Sequence, residues 1–395
     1  MNILFVHETE YIDKAVFEYQ IIPEILASKG HHVYVIDYPT AWKKNGLLDF
    51  GSFKTQYFHQ VKKANKKKGI TLIRPGIIKI PILSRISAFI AYFFIISNAI
   101  KKYKINKIVL FAVPTNGLQT ILLAKRYKIP ILFRLLDVLH QLVPNKALSR
   151  PTYLMEKIVY RNISEIIAVT PRLANYAVRM GGSKNTTSYV PTGSDADLFY
   201  PQKKDGALLR RYGLKKKERI ILFAGTLYNF SGLDRLIKIL PHHLKKYPHL
   251  KFLIVGRGQQ LKYLKELINT YRLQNNIIFT GFINYPDLAK YINLADICIN
   301  PFEINKITNP IFPGKIYQYL ACGKPVIATR LKGMIDLFPD HQGEDNIYYF
   351  NLNKPDEFYG LIGKIKKRKI KDTNPSLQEI AKIFEKKLLN LKSRV

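Results

Sequence analysis

The chain has 395 residues, too many for one ordinary α/β domain and enough for two domains of about 200 residues each. Its two cysteines, Cys298 and Cys322, exclude a disulfide framework, show no metal-ligand spacing and fit a reducing compartment. The net charge of +35, from 63 basic and 28 acidic residues, indicates attraction to polyanions such as nucleic acid, anionic lipid headgroups or phosphorylated substrates.

The N-terminus begins with an apolar strand and then a polar run, without the basic leader and longer apolar core of a signal peptide. The longest apolar stretch, Ile86 to Ile100, is shorter than a bilayer crossing requires and contains Ser87, Ser97 and Asn98. We therefore expect a cytoplasmic protein, peripheral on the inner face of the cell membrane and not integral.

Short apolar runs alternate with helical periodicity along the whole chain. The runs predict strands at 3–6, 32–36, 108–113, 131–135, 166–170, 220–225, 252–256, 276–281, 296–300, 325–329 and 347–350. The periodicity predicts helices at 15–29, 84–102, 117–127, 152–162, 172–180, 232–247, 260–272, 286–294, 314–322 and 355–367.

The apolar runs lack polar alternation, which is typical of parallel sheets buried on both faces. We therefore predict an α/β protein with two consecutive Rossmann-like, doubly wound domains that face a central cleft. The passage YVPTGSDADLFYP combines proline, glycine and small polar residues and marks the boundary. The predicted domains are 1–195 and 196–375, followed by an amphipathic helix at 376–395.

The strongest local motif is NPIFPGKIYQYLACGKPVIAT, at 309–329. It predicts a helix that begins at Gly314, whose free N–H groups suit a diphosphate. Lys315 adds a positive charge, and Gln318, one turn later, could bond a ribose hydroxyl. The alternative is an ordinary helix started by Pro313 and ended by glycine.

This run resembles the nucleotide-binding segment of GT-B glycosyltransferases of the retaining family 4, also called group 1. In that family a P-x-K-x-x-E-Y-x-A-x-G-K-P-V-I-A pattern marks the donor pocket. The acidic position holds Gln318 here, and the partner position of the family's E-x7-E pair falls on Pro310, so that pair is absent. The matching residues are Pro313, Lys315, Tyr319, Ala321, Gly323, Lys324, Pro325, Val326, Ile327 and Ala328.

Two further passages of the second half extend the resemblance. FAGTLYNFSGLDRLI resembles the first strand, loop and helix of the family's donor domain. Gly225 matches, but Thr226 and Ser231 replace the arginine and lysine that neutralise the leaving diphosphate in the family. FLIVGRGQQLKYLKEL matches the V-G-x-G loop, and Arg257 and Lys262 are the candidate substitutes for those lost charges.

IIFTGFINYPDLAKYINLADICINP matches another family passage, in which the backbone around Phe282 and Ile283 meets the base. Together with the resemblance, the motifs predict a nucleotide-sugar donor in the second domain. The predicted donor contacts are Gly225, Thr226, Arg257, Lys262, Phe282, Ile283, Gly314, Lys315, Ile316 and Gln318.

The first half resembles the family more thinly, through GHHVYVI and the passage at 164–201. The family's glycine-rich loop after the first strand is replaced by HETEYIDKAVFEYQ, which makes His7 and Glu8 acceptor-side candidates by position. FRLLDVLHQ stands where the family often has a His-Asp pair, and Asp137 and His140 are candidates to activate or orient the acceptor hydroxyl. The structural alternatives are a helix cap for Asp137 and a solvent-facing His140.

The resemblance implies glycosyl transfer with retention of anomeric configuration and without a metal or other cofactor. The predicted catalytic residues are Asp137 and His140 in the first domain and Lys315 and Arg257 in the second, where cations stabilise the departing diphosphate. The nearest literal metal motif, Asp195 to Asp197, lies in the linker and favours a structural turn.

Two lysine clusters, KKANKKK (62–68) and KKYKINK (101–107), flank the apolar helix at 86–100. This pattern favours docking on an anionic membrane. The family resemblance implies a lipid-linked or cell-surface glycan acceptor there, because relatives that elongate lipid-linked sugars dock this way. The alternative is an ordinary core helix. Nucleic acid is not an expected partner, because no recognition module accompanies the basic clusters.

Two other functions stay open at this point. A non-catalytic polyanion-binding or scaffold protein on a degenerate fold would explain the replaced arginine, lysine and glutamate. A sugar-nucleotide epimerase or hydrolase would use the same donor site. The sequence does not distinguish the sugar, the nucleotide or the linkage.

Overall fold

The structure is a computed structural model that describes residues 1–12, 16–38, 43–44, 47–48, 50–64, 67–80, 83–143, 146–215, 217–341, 343–365 and 375–393, with backbone alone at 43–44, 47–48 and 146–147. The chain divides into two compact units. Unit 1 comprises Met1–Thr192 and Leu377–Val395, and unit 2 comprises Gly193–Ser376.

Unit 1 contains ten strands, seven α-helices and one short 3-10 turn at Lys184–Thr186 among its described residues. The strands are β1 (Asn2–Val6), β2 (His32–Ile36), β3 (Lys43–Lys44), β4 (Leu47–Leu48), β5 (Gln56–Val61), β6 (Ile70–Arg74), β7 (Lys107–Leu110), β8 (Ile131–Leu135), β9 (Glu165–Ala168) and β10 (Thr187–Tyr189). The helices are α1 (Glu18–Ser28), α2 (Leu83–Lys102), α3 (Gly117–Arg126), α4 (Leu139–Leu142), α5 (Lys146–Asn162), α6 (Pro171–Arg179) and, from the C-terminus, α14 (Leu377–Asn390).

Eight strands of unit 1 form one sheet in the order β10-β9-β8-β7-β1-β2-β6-β5. Every neighbouring pair is parallel except β5 with β6. The prediction of buried parallel strands is therefore confirmed for the centre of the sheet. From β1 the chain moves to β2 on one side and later to β7 on the other, so the switch point of the sheet lies between β1 and β7.

Unit 2 contains six strands and seven helices among its described residues. The strands are β11 (Arg219–Ala224), β12 (Leu250–Val255), β13 (Ile277–Gly281), β14 (Ile297–Asn300), β15 (Val326–Thr329) and β16 (Ile347–Phe350). The helices are α7 (Gly206–Arg211), α8 (Leu233–Leu244), α9 (Leu261–Thr270), α10 (Tyr285–Leu294), α11 (Lys315–Ala321), α12 (Lys332–Ile335) and α13 (Asp356–Lys364).

The sheet of unit 2 is parallel throughout, with the order β13-β12-β11-β14-β15-β16. Its strands are short and apolar, and all except the half-buried edge strand β13 are largely buried, as the runs without polar alternation predict. The switch point lies between β11 and β14, since the chain leaves β11 toward β12 and returns on the other side at β14.

Helix α2 has two apolar faces. Ala88, Tyr92, Ile96, Ala99 and Ile100 face the core and are buried. The opposite face leaves Ile86, Phe89, Ile90, Phe93 and Phe94 exposed. With 20 residues, α2 is the one helix in the described part of the chain that is long and apolar enough to cross a membrane, although core helices of soluble proteins pass the same test. The helix is therefore longer than the apolar stretch suggests.

The C-terminal helix α14 packs against α1 in unit 1. Its buried residues include Ile380, Phe384 and Leu388, on one face of the helix. The ring of Phe384 lies 5.5 Å from the guanidinium carbon of Arg134, which is fully buried and donates to both carboxylate oxygens of Glu18. The last residues of the chain thus complete the core of the first unit.

Candidate functional site

The carboxyl ends of β11 and β14 frame the switch point of unit 2, where open parallel sheets bind their ligands. Lys315, the first residue of α11, lies above this point. Its Nζ is 3.9 Å from the ring centroid of Phe223, in β11, and 4.3 Å from that of Phe302, just after β14. Tyr319 fixes the helix there, because its hydroxyl accepts a hydrogen bond of 2.8 Å from the Ala224 amide.

The positive charge of Lys315 is not balanced by an acidic side chain among the described residues. Within the described residues no carboxylate pairs with it, and its neighbours are two aromatic rings. Burial lowers the pKa of Lys315 to about 7, because desolvation penalises the ammonium form. An anionic ligand would stabilise that charge, so the geometry suits a phosphate group at the switch point.

Two glycine loops lie beside Lys315. Gly225 has φ +143°, a conformation that side chains rarely adopt, and a Cβ there would come 3.5 Å from Lys315 Nζ. Gly256 has φ +137°, and its Cβ would lie 2.0 Å from the carbonyl oxygen of Gly225. Both positions therefore require glycine. Thr226, next in the first loop, is exposed.

Arg257 and Phe282 form a second contact at the same edge of the sheet. The guanidinium carbon of Arg257 is 4.8 Å from the ring centroid of Phe282, and both side chains are exposed. Ile283 is half-buried beside them in the chain, and Lys262 is exposed on α9. Gln318 lies near the hydroxyl of Tyr285, at the start of α10.

The structure brings the predicted donor residues to one edge of unit 2, with one difference. The side chain of Ile316 is fully buried, and its amide donates to the Pro313 carbonyl at 2.9 Å, so neither group is directed at open space. Ser231, one of the two departures from the family, is also buried and donates to Gln260 Oε1 at 2.6 Å. The Ser231 hydroxyl therefore stabilises the loop and does not point toward a ligand.

The switch point of unit 1 carries a different group, centred on Glu8. Its carboxylate accepts from Arg85 Nη1 at 2.9 Å and from the Thr115 amide. Arg85 lies on the first turn of α2, also 5.0 Å above the ring of Tyr38. Burial raises the pKa of Glu8, while Arg85 and Thr115 oppose that rise.

His7 is buried at the end of β1. Its Nδ1 lies 3.0 Å from the Thr9 carbonyl, and Nε2 has no partner among the described residues. Burial lowers the pKa of His7 to about 4, so the ring is neutral near pH 7. The side-chain amide of Asn116, at the N-cap of α3, is buried as well and lies near the hydroxyl of Tyr92.

Asp137 and His140 follow β8 but have different surroundings. Burial raises the pKa of Asp137 to about 6, and no described residue bonds its carboxyl group. Val138 is the N-cap of α4, so a helix-cap role for Asp137 is wrong. His140 does not face solvent freely: its Nδ1 lies 2.8 Å from the buried carboxylate of Glu156, which also accepts 2.6 Å from the hydroxyl of Tyr176.

The sequence motifs did not indicate Arg85, Glu156, Tyr176 or Asn300. Arg85 and Glu156 find their partners 77 and 16 residues away, which periodicity cannot reveal. One signal was available for Asn300, because it is a polar residue at the end of an otherwise apolar buried strand.

Metal ligands are not gathered in the described part of the chain, where no group of three or more His, Cys, Asp or Glu side chains is clustered. The predicted turn at Asp195 to Asp197 is present, since the Asp197 amide donates to Asp195 Oδ1 at 3.1 Å.

Residues 218–366, which include the Lys315 site, match the family described as glycosyl transferases group 1. Among curated relatives, an uncharacterized glycosyltransferase of Methanocaldococcus jannaschii is 28% identical over 37% of this chain and 36% of its own length. A GDP-mannose-dependent alpha-(1-6)-phosphatidylinositol monomannoside mannosyltransferase of Mycolicibacterium smegmatis is 28% identical over 38% of this chain and 40% of its own length. The matched part thus spans about two fifths of these relatives.

Solved structures resemble the whole chain. Sucrose-phosphate synthase from Thermosynechococcus elongatus matches with TM-score 0.69 at 18% identity, over 99% of this chain and 95% of its own. Anabaena HepE in complex with UDP matches with TM-score 0.65 at 18% identity, over 98% and 95%. These likenesses confirm the predicted fold class, an α/β protein of GT-B type around the group 1 domain.

Proposed function

We propose that the chain is a glycosyltransferase that moves a sugar from a nucleotide-sugar donor to a glycan acceptor, with retention and without a metal. The observation that carries the proposal is Lys315, a cation without a carboxylate partner among the described residues, at the switch point of the group 1 domain. A nucleoside diphosphate supplies the missing anion. The similar HepE structures, which hold UDP or UDP-glucose, support a donor of this class.

In the reaction, the bond between the anomeric carbon and the diphosphate oxygen breaks, a bond to the acceptor hydroxyl oxygen forms, and the hydroxyl proton passes to the departing diphosphate. The charge that develops on the leaving diphosphate is stabilised by Lys315 and by Arg257, the exposed cation of the neighbouring loop. Asp137 and Glu8 are the candidates to orient the acceptor hydroxyl, because both carboxyl groups follow strand ends of unit 1.

Donor binding tests the proposal directly. Thermal-shift and calorimetric titrations with UDP, GDP, UDP-glucose, UDP-N-acetylglucosamine and GDP-mannose should identify a stabilising nucleotide. Lys315→Ala should weaken that binding by about 1–3 kcal/mol, the usual scale for a charge-assisted contact. The matched control is Lys246→Ala, an exposed lysine of unit 2 whose Nζ lies 5.6 Å from the Tyr247 ring. Equal affinity in the Lys315 and Lys246 variants would refute the site.

We propose further that the acceptor lies at an anionic membrane, on the cytoplasmic face. Helix α3 packs between α2 and α5, and each of the three exposes apolar side chains. The exposed set comprises Leu83, Ile86, Phe89, Ile90, Phe93, Phe94, Leu122, Leu148, Tyr153, Leu154 and Ile158. Their one acidic residue, Glu156, is buried, so the exposed charges of this layer are all positive. An apolar, cationic surface fits an anionic lipid interface.

The lysine clusters contribute unequally to this surface. Lys101 and Lys102 are exposed, whereas Lys107 is half-buried and donates to the carbonyl of Leu391 at 2.7 Å. Lys67 and Lys68 are exposed, and residues 65–66 of the other cluster lie outside the described residues.

Sedimentation with vesicles tests the membrane proposal. The chain should bind phosphatidylglycerol–phosphatidylcholine vesicles, release as salt rises, and bind pure phosphatidylcholine weakly. The double variant Ile90→Ser, Phe94→Ser should abolish vesicle binding. The double variant Lys101→Gln, Lys102→Gln should reduce binding in proportion to the two positive charges that it removes. Leu389→Ser is the control, since it removes an exposed apolar residue from α14. Binding unaffected by the α2 variants would overturn this surface.

The replacement of the family's lysine by Ser231, now buried in a loop contact, favours one second candidate: a non-catalytic polyanion-binding scaffold. A protein of that kind would bind the nucleotide and never release free sugar or a glycosylated product. A sugar-nucleotide hydrolase or epimerase would instead change the donor without an acceptor, which product analysis of the donor alone detects.

A further inference from the structure

Asn300 ends strand β14 at the switch point of unit 2. It is fully buried, and neither its amide nitrogen nor its amide oxygen has a hydrogen-bond partner among the described residues. Burying an amide without partners is costly, so such a group in a native protein indicates a partner that is absent from the free chain.

The position of Asn300 connects it with Lys315. Alternate residues of a strand share a face, so Asn300 points to the same side of the sheet as Cys298. Cys298 interacts electrostatically with Tyr319 and Cys322, so α11 lies close to this strand. Asn300 is nearer than Cys298 to the carboxyl end of the strand, the end above which α11 starts.

The ring of Phe302 and the ammonium of Lys315 lie close to the end of β14. Phe302, two residues after Asn300, holds the Lys315 ammonium at 4.3 Å from its ring. A diphosphate would attract that ammonium more strongly than two rings do, because a full negative charge outweighs the ring quadrupole. Donor binding would then draw the lysine away from the rings and open the end of β14.

The chemistry of an amide selects its partner. Phosphate oxygens only accept hydrogen bonds, so they would leave the amide oxygen of Asn300 unsatisfied. A sugar hydroxyl both donates and accepts, and two neighbouring hydroxyls can satisfy the nitrogen and the oxygen together. We propose that Asn300 binds hydroxyl groups of the transferred sugar and determines which sugar the site accepts. This inference rests on the proposed donor function and assigns the sugar subsite within it.

The test compares each nucleoside diphosphate with its nucleotide sugar. Calorimetry measures UDP against UDP-glucose and UDP-N-acetylglucosamine, and GDP against GDP-mannose, for wild type, Asn300→Leu and Asn300→Ala. Leucine has a similar shape without the polar atoms, and the alanine variant covers the case in which leucine does not fit. Both should bind the nucleotide sugar about 10- to 100-fold more weakly and the nucleoside diphosphate within about twofold of wild type.

A stability measurement accompanies the titrations. Removal of an unsatisfied amide should leave the Tm of the free Asn300→Leu protein unchanged or raise it by a few degrees, so affinity and stability move in opposite directions. The control is Tyr160→Phe, which removes a buried hydroxyl without a described partner in unit 1 and should leave both affinities unchanged.

The possible outcomes distinguish the sugar subsite at Asn300 from the proposed donor function on which it rests. Equal losses for the diphosphate and its sugar, or no loss for either, would overturn the sugar subsite while the donor site stands. A fall in Tm with unchanged affinities would identify a structural amide that binds an ordered water, and would also overturn it. Wild-type protein that binds no nucleotide would overturn the proposed function, and the role of Asn300 with it.

Discussion

At the end of its first strand, unit 1 places His7 and Glu8, whereas unit 2 places Gly225. The strand across the switch point is β7 in unit 1 and β14 in unit 2. The side-chain amide of Asn116 lies beyond β7, and the ammonium of Lys315 lies beyond β14. The two sheets are wound in the same way around their switch points. The common topology therefore provides a place for a ligand, and the side chains alone decide its charge.

The charges also differ in how they are balanced. In unit 1 the cation Arg85 is already paired with Glu8, and the buried Arg134 is paired with Glu18. In unit 2 Lys315 lies beside two aromatic rings and a glycine loop, and no carboxylate pairs with it among the described residues. The cations Arg85 and Arg134 of unit 1 are thus balanced within the unit, while the charge of Lys315 in unit 2 is available to an anionic ligand.

The largest expected effect comes from breaking the internal balance of unit 1. Arg134→Met leaves the fully buried carboxylate of Glu18 without its bidentate partner. The free energy of unfolding should fall by about 3–5 kcal/mol, measured by urea denaturation. Lys290→Ala is the control, because it removes an exposed pair with Asp287, which solvent screens, and should cost far less than Arg134→Met. A small loss for Arg134→Met would mean that unit 1 does not depend on this pair.

A smaller effect, on donor affinity, is expected when a side chain is added to the glycine loop at Gly225 in unit 2. Gly225→Ala introduces a side chain at φ +143° and 3.5 Å from Lys315 Nζ. Donor affinity should fall by about 1–3 kcal/mol through backbone strain and crowding. Gly360→Ala is the control, since a Cβ at that helical position meets nothing within 4 Å. Titration of both variants with the identified nucleotide checks the prediction, and an unaffected Gly225→Ala protein would contradict it.

The two units should also respond oppositely to pH. Asp137, with its pKa raised to about 6, becomes a carboxylate as pH rises through 6, so activity should increase there. Lys315, with its pKa lowered to about 7, loses its charge above pH 7 in the free protein, so kcat/KM should decrease by up to about tenfold per pH unit. The profile of kcat/KM should be bell-shaped, with its maximum between the two values.

Two variants test which group causes each limb of the pH profile of kcat/KM. Asp137→Asn should remove the acidic limb, and Lys315→Arg, which stays charged, should move the basic limb upward. Diphosphate binding should take up protons above pH 7, which calorimetry in buffers of different ionisation enthalpy detects. A basic limb that does not move in Lys315→Arg would assign it to another group.

No effect is expected from removing metal. If Lys315 and Arg257 stabilise the leaving diphosphate, EDTA should leave the rate of transfer within about twofold of the untreated value. Loss of activity that only Mg²⁺ or Mn²⁺ restores would show that these cations are insufficient.

The sequence predicted the fold best where packing is simplest. Strands β11 to β16 match their apolar runs within two residues at each end, because burial on both faces gives an uninterrupted pattern. Strand β5 was missed, since QYFHQV is largely exposed at the antiparallel edge and contains three polar residues. The predicted start of α5 at 152 was late, because the helix contains Pro151 and begins at Lys146.

Only some residues of the candidate site were predicted from the sequence. Lys315 and Gly225 belong to local motifs, and the structure brings these two residues together. The pairing of Arg85 with Glu8 depends on the fold, and so does the burial of Asn300 without a partner. Such relations join distant parts of the chain or record a missing hydrogen bond, and neither leaves a periodic signal in the sequence.

The docking of α14 on unit 1 sets an order for biosynthesis. The chain leaves unit 1 after Thr192, completes all of unit 2, and returns at Leu377 beside the point of departure, where the Ser194 amide bonds the Pro375 carbonyl. Domains generally fold as their residues emerge during synthesis, the N-terminal one first. Here the ribosome delivers every residue of unit 2 before Phe384 can reach Arg134. Unit 1, which is synthesised first, is therefore the last to complete its core, and a nascent chain that ends before Leu377 carries all of unit 2 and a unit 1 that lacks α14.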